Sequence, residues 1–287
     1  MKIALCLVGM IGSKTDKHGY GGEHSEVLNL GYKHYKKHIL DKNDVDVFCH
    51  TSSTDFSDEV INLYKPKKHL FINEPHFNIP PYVTGKPDRK RAHYHKWFSH
   101  KKVMELRQTY EKETNTKYDF VYIGRYDIAW NVDIIFNDFD PSKFYLTHWN
   151  RLLTENNNEI KGAQWYKFLS QNKEPLIKNN TPPPGIISKL VGYPHNTEGV
   201  MDSWFFSNPS YMDILCGLYD KIDEYTKPGQ TWMGGKSTVV DSSGNISNHR
   251  LIPKHLEVNN ILDKLKHTFY THDDYPLVRR YYFNSNR

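Results

Sequence analysis

Hydrophobic and polar positions along the chain fall into two alternating patterns. Short apolar runs that stop at polar clusters, Lys2 to Gly9, Val45 to His50, His69 to Ile72 and Tyr118 to Ile123, predict buried strands. Between them, apolar residues recur at helical spacing. Val27, Leu28, Leu30, Tyr32 and Tyr35 predict an amphipathic helix over Ser25 to Leu40, Asp58 to Leu63 a short helix, and Val103, Leu106 and Tyr110 a long one over Lys90 to Lys112. Prolines at positions 75, 80, 81 and 87 make 74–91 a loop. The alternation of strand and helix implies a mostly parallel sheet with crossover helices. Further on, the pattern predicts a strand over Lys143 to Trp149, an Asn- and Lys-rich loop through Asn180, and an aromatic strand at Trp204 to Phe206. A helix over Tyr211 to Tyr225 follows, capped by Asn208 and opened by Pro209. The glycine-rich stretch from Lys227 to His249 suits a lid, before a helix over Val258 to Leu265 and a strand near Thr268. The segments on either side of the Thr181-Pro182-Pro183-Pro184-Gly185 tract are too small to fold alone, so a single domain is expected over residues 1–287.

Composition narrows the class. With 287 residues, 38% hydrophobic and 25% charged, the chain is folded rather than disordered. A net charge of +5, spread along the sequence, suits small anionic ligands as well as nucleic acid. Cys6, Cys49 and Cys216 lack metal-ligand spacing, and the first two lie inside apolar runs, which fits reduced core thiols in a cytoplasmic protein. The apolar start IALCLVGMI is too short to span a bilayer and has no basic leader, so neither a membrane segment nor export is expected.

The candidate chemistry gathers where strands end. In YDFVYIGRYDIAWN, Arg125 and Asp127 are two apart on an extended chain and share a face at the strand's C-terminal end, where open α/β sheets bind ligands. The alternative is a structural ion pair. The second strand also ends polar, in His50-Thr51-Ser52-Ser53, and the first runs into a glycine-rich loop with Gly9, Gly12, Gly19, Gly21 and Gly22 that can wrap phosphates. Its GMIGSKT lacks the four-residue spacing of a P-loop. The apolar stripe of the long helix continues N-terminally into Lys102, Ser99 and His95, a polar face suited to a ligand or, equally, to solvent. His93, His95 and His100 have no further Cys or carboxylate at zinc-ligand spacing. Glu198 and Asp202 are candidate bases, and Trp204 is either a stacking platform for a sugar or core.

The motifs MKIALCLVGM, DVDVFCHTSS, NLYKPKKHLFI, WFSHKKVMEL, YDFVYIGRYDIAW, VMDSWFFSNPSYMDIL and PLVRRYYF together resemble the GT-A-type glycosyltransferases of large DNA viruses, phages and bacterial polysaccharide loci. The resemblance covers most of the chain. It implies an α/β, GT-A-like, mostly parallel mixed sheet flanked by helices, and sugar transfer from a nucleotide-sugar donor to a hydroxyl of a glycan or glycoprotein acceptor, with no nucleic acid partner. It puts the donor on residues 1–130 and the acceptor on 131–287. Gly9, Gly12, His50 and Thr51 would hold base and ribose, with Ser99 on the same polar face. His95, Lys102 and Arg125 would meet the diphosphate, a divalent metal (manganese or magnesium) would sit on Asp127, and Asp202 or Glu198 would be the base. Arg125 stands where many such enzymes carry the first acid of an Asp-x-Asp motif, which leaves Asp127 as one side-chain ligand and metal dependence open. Two rival readings remain: a kinase- or sulfotransferase-like enzyme using Gly12-Ser13-Lys14-Thr15, and a nucleic-acid binder using the basic aromatic run Arg89 to Lys102.

Overall fold

Four parallel strands, β1 (Lys2–Val8), β2 (Asp44–Thr51), β3 (Lys68–Phe71) and β4 (Phe120–Arg125), are joined by helices α1 (Ser25–Tyr35), α2 (Ser57–Tyr64) and α3 (Pro87–Thr114). The computed structural model describes residues 1–11, 25–147, 199–232, 234–235, 237–241, 243–269, 274–275 and 277–278, with the backbone of 151–153 and 159–161. Beyond β4 come β5 (Phe144–Leu146), the hairpin β6 (Arg151–Leu153) and β7 (Glu159–Lys161), and β8 (Trp204–Ser207). Then follow α4 (Pro209–Cys216), α5 (Ile222–Tyr225), the short pair β9 (Thr231–Trp232) and β10 (Ser237–Thr238), α6 (Asn248–Val258) and β11 (Leu265–His267). The main sheet has seven strands in the order β11-β5-β8-β4-β1-β2-β3. β8 alone runs against its neighbours β4 and β5, so the sheet is mostly parallel and mixed, as expected from the sequence.

Helices cover both faces because the strands are apolar on both. Ala4, Cys6 and Val8 of β1 pack with α3, α4 and α6 through Trp97, Val103, Met212, Leu251 and Leu256. Ile3, Leu5 and Leu7 pack on the other side against α1 and α2 through Leu28, Tyr35, Val60 and Tyr64. Each fully buried side chain of this size contributes about 1.5–3 kcal/mol, so the two clusters dominate stability. Gly31 lets α1 press onto the chain just past β4: a Cβ there would lie 2.0 Å from the Tyr126 carbonyl oxygen. That contact fixes the backbone between Arg125 and Asp127.

Several sequence expectations need correction. α3 begins at Pro87, inside the stretch expected to be loop, because proline at the first helical position gives up an N–H that has no partner there anyway. The helix expected over Tyr211 to Tyr225 is three pieces: α4, a 3₁₀ turn over Gly217–Lys221, and α5. Its cap is as expected, Asn208 Oδ1 accepting from the Tyr211 N–H at 2.9 Å. α6 occupies Asn248–Val258, ahead of the expected helix. Pro253 conceals it in the sequence, yet its apolar face of Leu251, Ile252 and Leu256 holds it to the core. The stretch expected to be a lid carries the β9/β10 pair, with Trp232 and Val239 buried in the core. Trp204 is core and no sugar platform: 1% exposed, it stacks with Tyr122 and packs on Trp130. Cys6, Cys49 and Cys216 are buried free thiols.

Candidate functional site

The C-terminal ends of β1, β2 and β4, with the N-terminal half of α3 laid across them, gather the polar residues. Arg125 closes β4, and its guanidinium donates from Nε to Asp127 Oδ1 at 2.7 Å and from an Nη to Oδ2 at 2.8 Å. The carboxylate is 1% exposed whereas the Arg125 side chain is 35% exposed. Asp127 thus works from below as a buried counter-ion, and the pair presents a fixed guanidinium outward. Burial opposes the charge on Arg125, but Asp127, and Asp202 from further off, outweigh it and raise its pKa.

Lys96 projects from α3 toward the same centre. Its ammonium donates to Asp202 Oδ2 at 2.7 Å and also to the Asp202 carbonyl. Asn248, at the start of α6, donates from Nδ2 to Asp202 Oδ2 at 3.2 Å and accepts from the Trp97 indole at 3.0 Å. Burial pushes the Lys96 pKa down, partly offset by Asp202. For Asp202 burial acts upward, but Lys96, His249 and Arg125 prevail and hold its carboxyl far below the usual carboxylate range. Two cations and two carboxylates therefore form one neutral, largely desolvated quartet.

Beside this quartet lie polar groups with no hydrogen-bond partner among the described residues. Continuing the β1–β2 register past Leu7–Cys49 sets His50 beside Val8, and Val8 pairs with Arg125. His50 and Arg125 therefore point to the same face two strand spacings, about 10 Å, apart. His50 is 1% exposed, yet among the described residues neither ring nitrogen has a hydrogen-bond partner, and the same holds for His95 Nε2 and the Ser99 hydroxyl on α3. Burial lowers the His50 pKa to about 4, and the His95 pKa also falls, burial being the main cause. Half-exposed Phe98 meets the His50 ring edge-on at 5.9 Å, and Phe77 packs on Phe98 and His95. Unpartnered buried polar groups cost free energy unless something hydrogen-bonds them, and their convergence marks a place for a polar ligand.

The other predicted residues differ in what they do. Gly9 ends β1 at φ 101°, a left-handed conformation that suits glycine, and its carbonyl accepts from the Thr51 hydroxyl at 2.8 Å. Thr51 Oγ1 also accepts from the Ser53 N–H at 3.0 Å, so this hydroxyl ties two strand ends together. Lys102 donates to Glu105 at 2.7 Å and lies over the Phe98 ring, at the rim. Gly12 and Glu198 lie outside the described residues. Both Asp127 oxygens are taken by Arg125, and no group of three His, Cys, Asp or Glu among the described residues is arranged to hold a metal ion. These residues do not fit the divalent-cation set that the resemblance implied.

Sequence reasoning missed Lys96, Asn248 and His249. Lys96 sits between two residues that were singled out, on a helix rich in lysine, and Asn248 was hidden with the rest of α6. The basic run Arg89 to Lys102 is largely charge-paired: Arg89 with Asp241, Arg91 with Glu74, Lys96 with Asp202, Lys101 with Asp220 and Lys102 with Glu105.

No protein-family profile matches the chain, and no curated protein does. Among solved structures it is similar to mouse xyloside xylosyltransferase 1 in its apo form. The TM-score is 0.41 at 11% identity, covering 93% of this chain and 86% of that one. No described helix is long and apolar enough to cross a membrane.

Proposed function

We propose that the chain is a glycosyltransferase that takes a nucleoside-diphosphate sugar as donor and a hydroxyl of a glycan or glycoprotein as acceptor. One observation carries the reading. A fixed, outward-facing guanidinium and a row of unpartnered buried polar groups share one sheet face, about 10 Å apart, at the C-terminal strand ends. A ribose and diphosphate bridge that span, with the base beside His50, His95 and Ser99 and the phosphates at Arg125. Residues 1–130 supply these groups, while Asp202 and α6 come from 131–287 and line the acceptor side.

Breaking the sugar–phosphate bond puts negative charge on the leaving diphosphate. Arg125 gives two of its five donors to Asp127 and keeps others for that charge, and a preorganised, desolvated donor is worth far more there than in water. Lys96 adds a second cation close by. The charge pairing of Arg89 to Lys102 works against the nucleic-acid reading, which needs clustered unpaired cations.

A thermal-shift series tests the proposal with nucleoside-diphosphate sugars, free nucleosides and pyrophosphate, each with manganese or with chelator. A sugar nucleotide should stabilise the protein more than either fragment, by about 2.7 kcal/mol at a hundredfold excess over Kd. Arg125→Gln should abolish the effect of pyrophosphate. Stabilisation by single-stranded nucleic acid with none by any sugar nucleotide would refute the reading.

A further inference from the structure

Asp202, the carboxylate first expected to take the acceptor's proton, is in poor company for that task. With Lys96 at 2.7 Å and Asn248 at 3.2 Å on the same oxygen, it stays an anion at every working pH and binds a proton weakly. General bases work best when their pKa lies near the operating pH. An imidazole stands beside it. His249 follows Asn248 in the first turn of α6 and is held by a reciprocal pair of bonds: its Nδ1–H donates to the Val200 carbonyl at 2.8 Å, and the Val200 N–H donates to the His249 carbonyl at 2.9 Å. Gly199 makes this possible. It adopts φ 103°, and a Cβ there would come within 1.6 Å of the His249 carbonyl oxygen.

Those bonds fix the ring's chemistry. A proton on Nδ1 places the neutral ring's lone pair on Nε2. The charged groups that act on the ring include Asp202, from the segment before β8, and Lys96 and Arg89, from α3. Arg89 is partly offset by Asp241 at 3.6 Å, while neighbouring Arg250 on α6 is spent on the Thr238 and Val240 carbonyls. Burial leads in lowering the His249 pKa, Lys96 and Arg89 adding to it and Asp202 opposing, so the ring is neutral at pH 7. The N-terminal end of α6 acts in the same sense. His93, nearby on α3, is also pushed down by burial, to about 4.

Resting on the glycosyl-transfer reading above, we propose that His249 Nε2 accepts the acceptor's proton, with Asp202 as the fixed anion that stabilises the imidazolium formed. In that step the acceptor oxygen bonds to the sugar's anomeric carbon as its O–H bond breaks. The anomeric carbon–phosphate oxygen bond breaks with its electron pair going to the diphosphate at Arg125, and the proton ends on Nε2. Val200 orients the ring through Nδ1, and Asp202 acts on it through its charge.

The test uses the full chain, ¹⁵N-histidine NMR, and turnover of a panel of nucleoside-diphosphate sugars with water or methyl glycosides as acceptors. At pH 7 the His249 ring should be neutral with its proton on Nδ1. An Nε2–H ring, or an imidazolium, overturns the proposal whether or not turnover is seen. His249→Gln should lower turnover by about 10²–10⁴-fold with donor Kd unchanged, and should remove the acid limb of the pH–rate profile. Wild-type turnover in a folded His249→Gln variant also overturns it, while the transfer reading stands. A wild type that binds no sugar nucleotide overturns both. Should His249→Gln not fold, the NMR result on the wild type decides.

Discussion

Replacing His50 by leucine should make the protein more acid-resistant. The wild-type ring is buried and has no hydrogen-bond partner among the described residues, and burial lowers its pKa from an ordinary 6.5 to about 4. Above pH 6.5 the ring is neutral folded and unfolded, and contributes no pH dependence. As pH falls from 6.5 toward 4 the unfolded chain takes up the proton first, so stability is lost through this window and levels off below it. The gap between 6.5 and about 4 corresponds to about 3 kcal/mol, a large share of the roughly 5–15 kcal/mol of a typical domain. Leucine is close in volume and sacrifices no hydrogen bond, so at pH 7 the variant should lie within about 1.5 kcal/mol of wild type. Urea melts at half-unit steps from pH 7.5 to 3.5 should therefore give two curves whose difference shifts by about 3 kcal/mol in the variant's favour by pH 4. Both will still decline, because burial also lowers His100, to about 3. Parallel curves would refute the reasoning, since they would mean that His50 is hydrated or bonded in the folded protein.

Two further perturbations follow from the same geometry. Arg125→Ala takes from the buried Asp127 carboxylate the guanidinium that bonds both its oxygens and should cost up to about 3–5 kcal/mol, so loss of activity in that variant alone says little. The double variant Arg125→Ala with Asp127→Asn should recover a large part of that loss in urea melts, and no recovery would mean that the pair is not energetically coupled. Gly31→Ala forces a methyl against the Tyr126 carbonyl and should destabilise by about 1–3 kcal/mol, whereas Gly217→Ala, with open space around it, should stay within about 1 kcal/mol of wild type. Equal effects at the two glycines in thermal melts would contradict the close packing of α1 on the segment after β4.

The N-terminal half was legible because its strands are continuous apolar runs, buried on both faces, separated by helices of ordinary spacing. β1, β2, β3 and β4 begin or end within a residue or two of their expected limits. That Arg125 and His50 share one edge was legible because a parallel sheet puts its strands' C-terminal ends together, a fact about topology that needs no side-chain detail. The C-terminal half was less legible. α6 carries a proline in mid-helix, and its polar residues read as loop until its apolar face is seen against α4 and β9. Trp204 looked like a platform because an aromatic beside a carboxylate has two meanings. Only the pleat decides: Asp202 precedes the strand, while Trp204 and Phe206 share its far face. Lys96 escaped notice because pairing across elements, here with Asp202 more than a hundred residues on, leaves no local trace.

The antiparallel β8 also sets a timetable. β4 is complete at Arg125, but the strand that covers its outer edge does not leave the ribosome until roughly eighty residues later, about 4–16 s at ordinary synthesis rates. During that interval Phe120, Val121, Tyr122 and Ile123 present an apolar edge with unpaired backbone groups, the kind of surface to which another nascent chain can add. Slowing synthesis between β4 and β8 should therefore lower the soluble yield of a protein whose finished fold is unchanged.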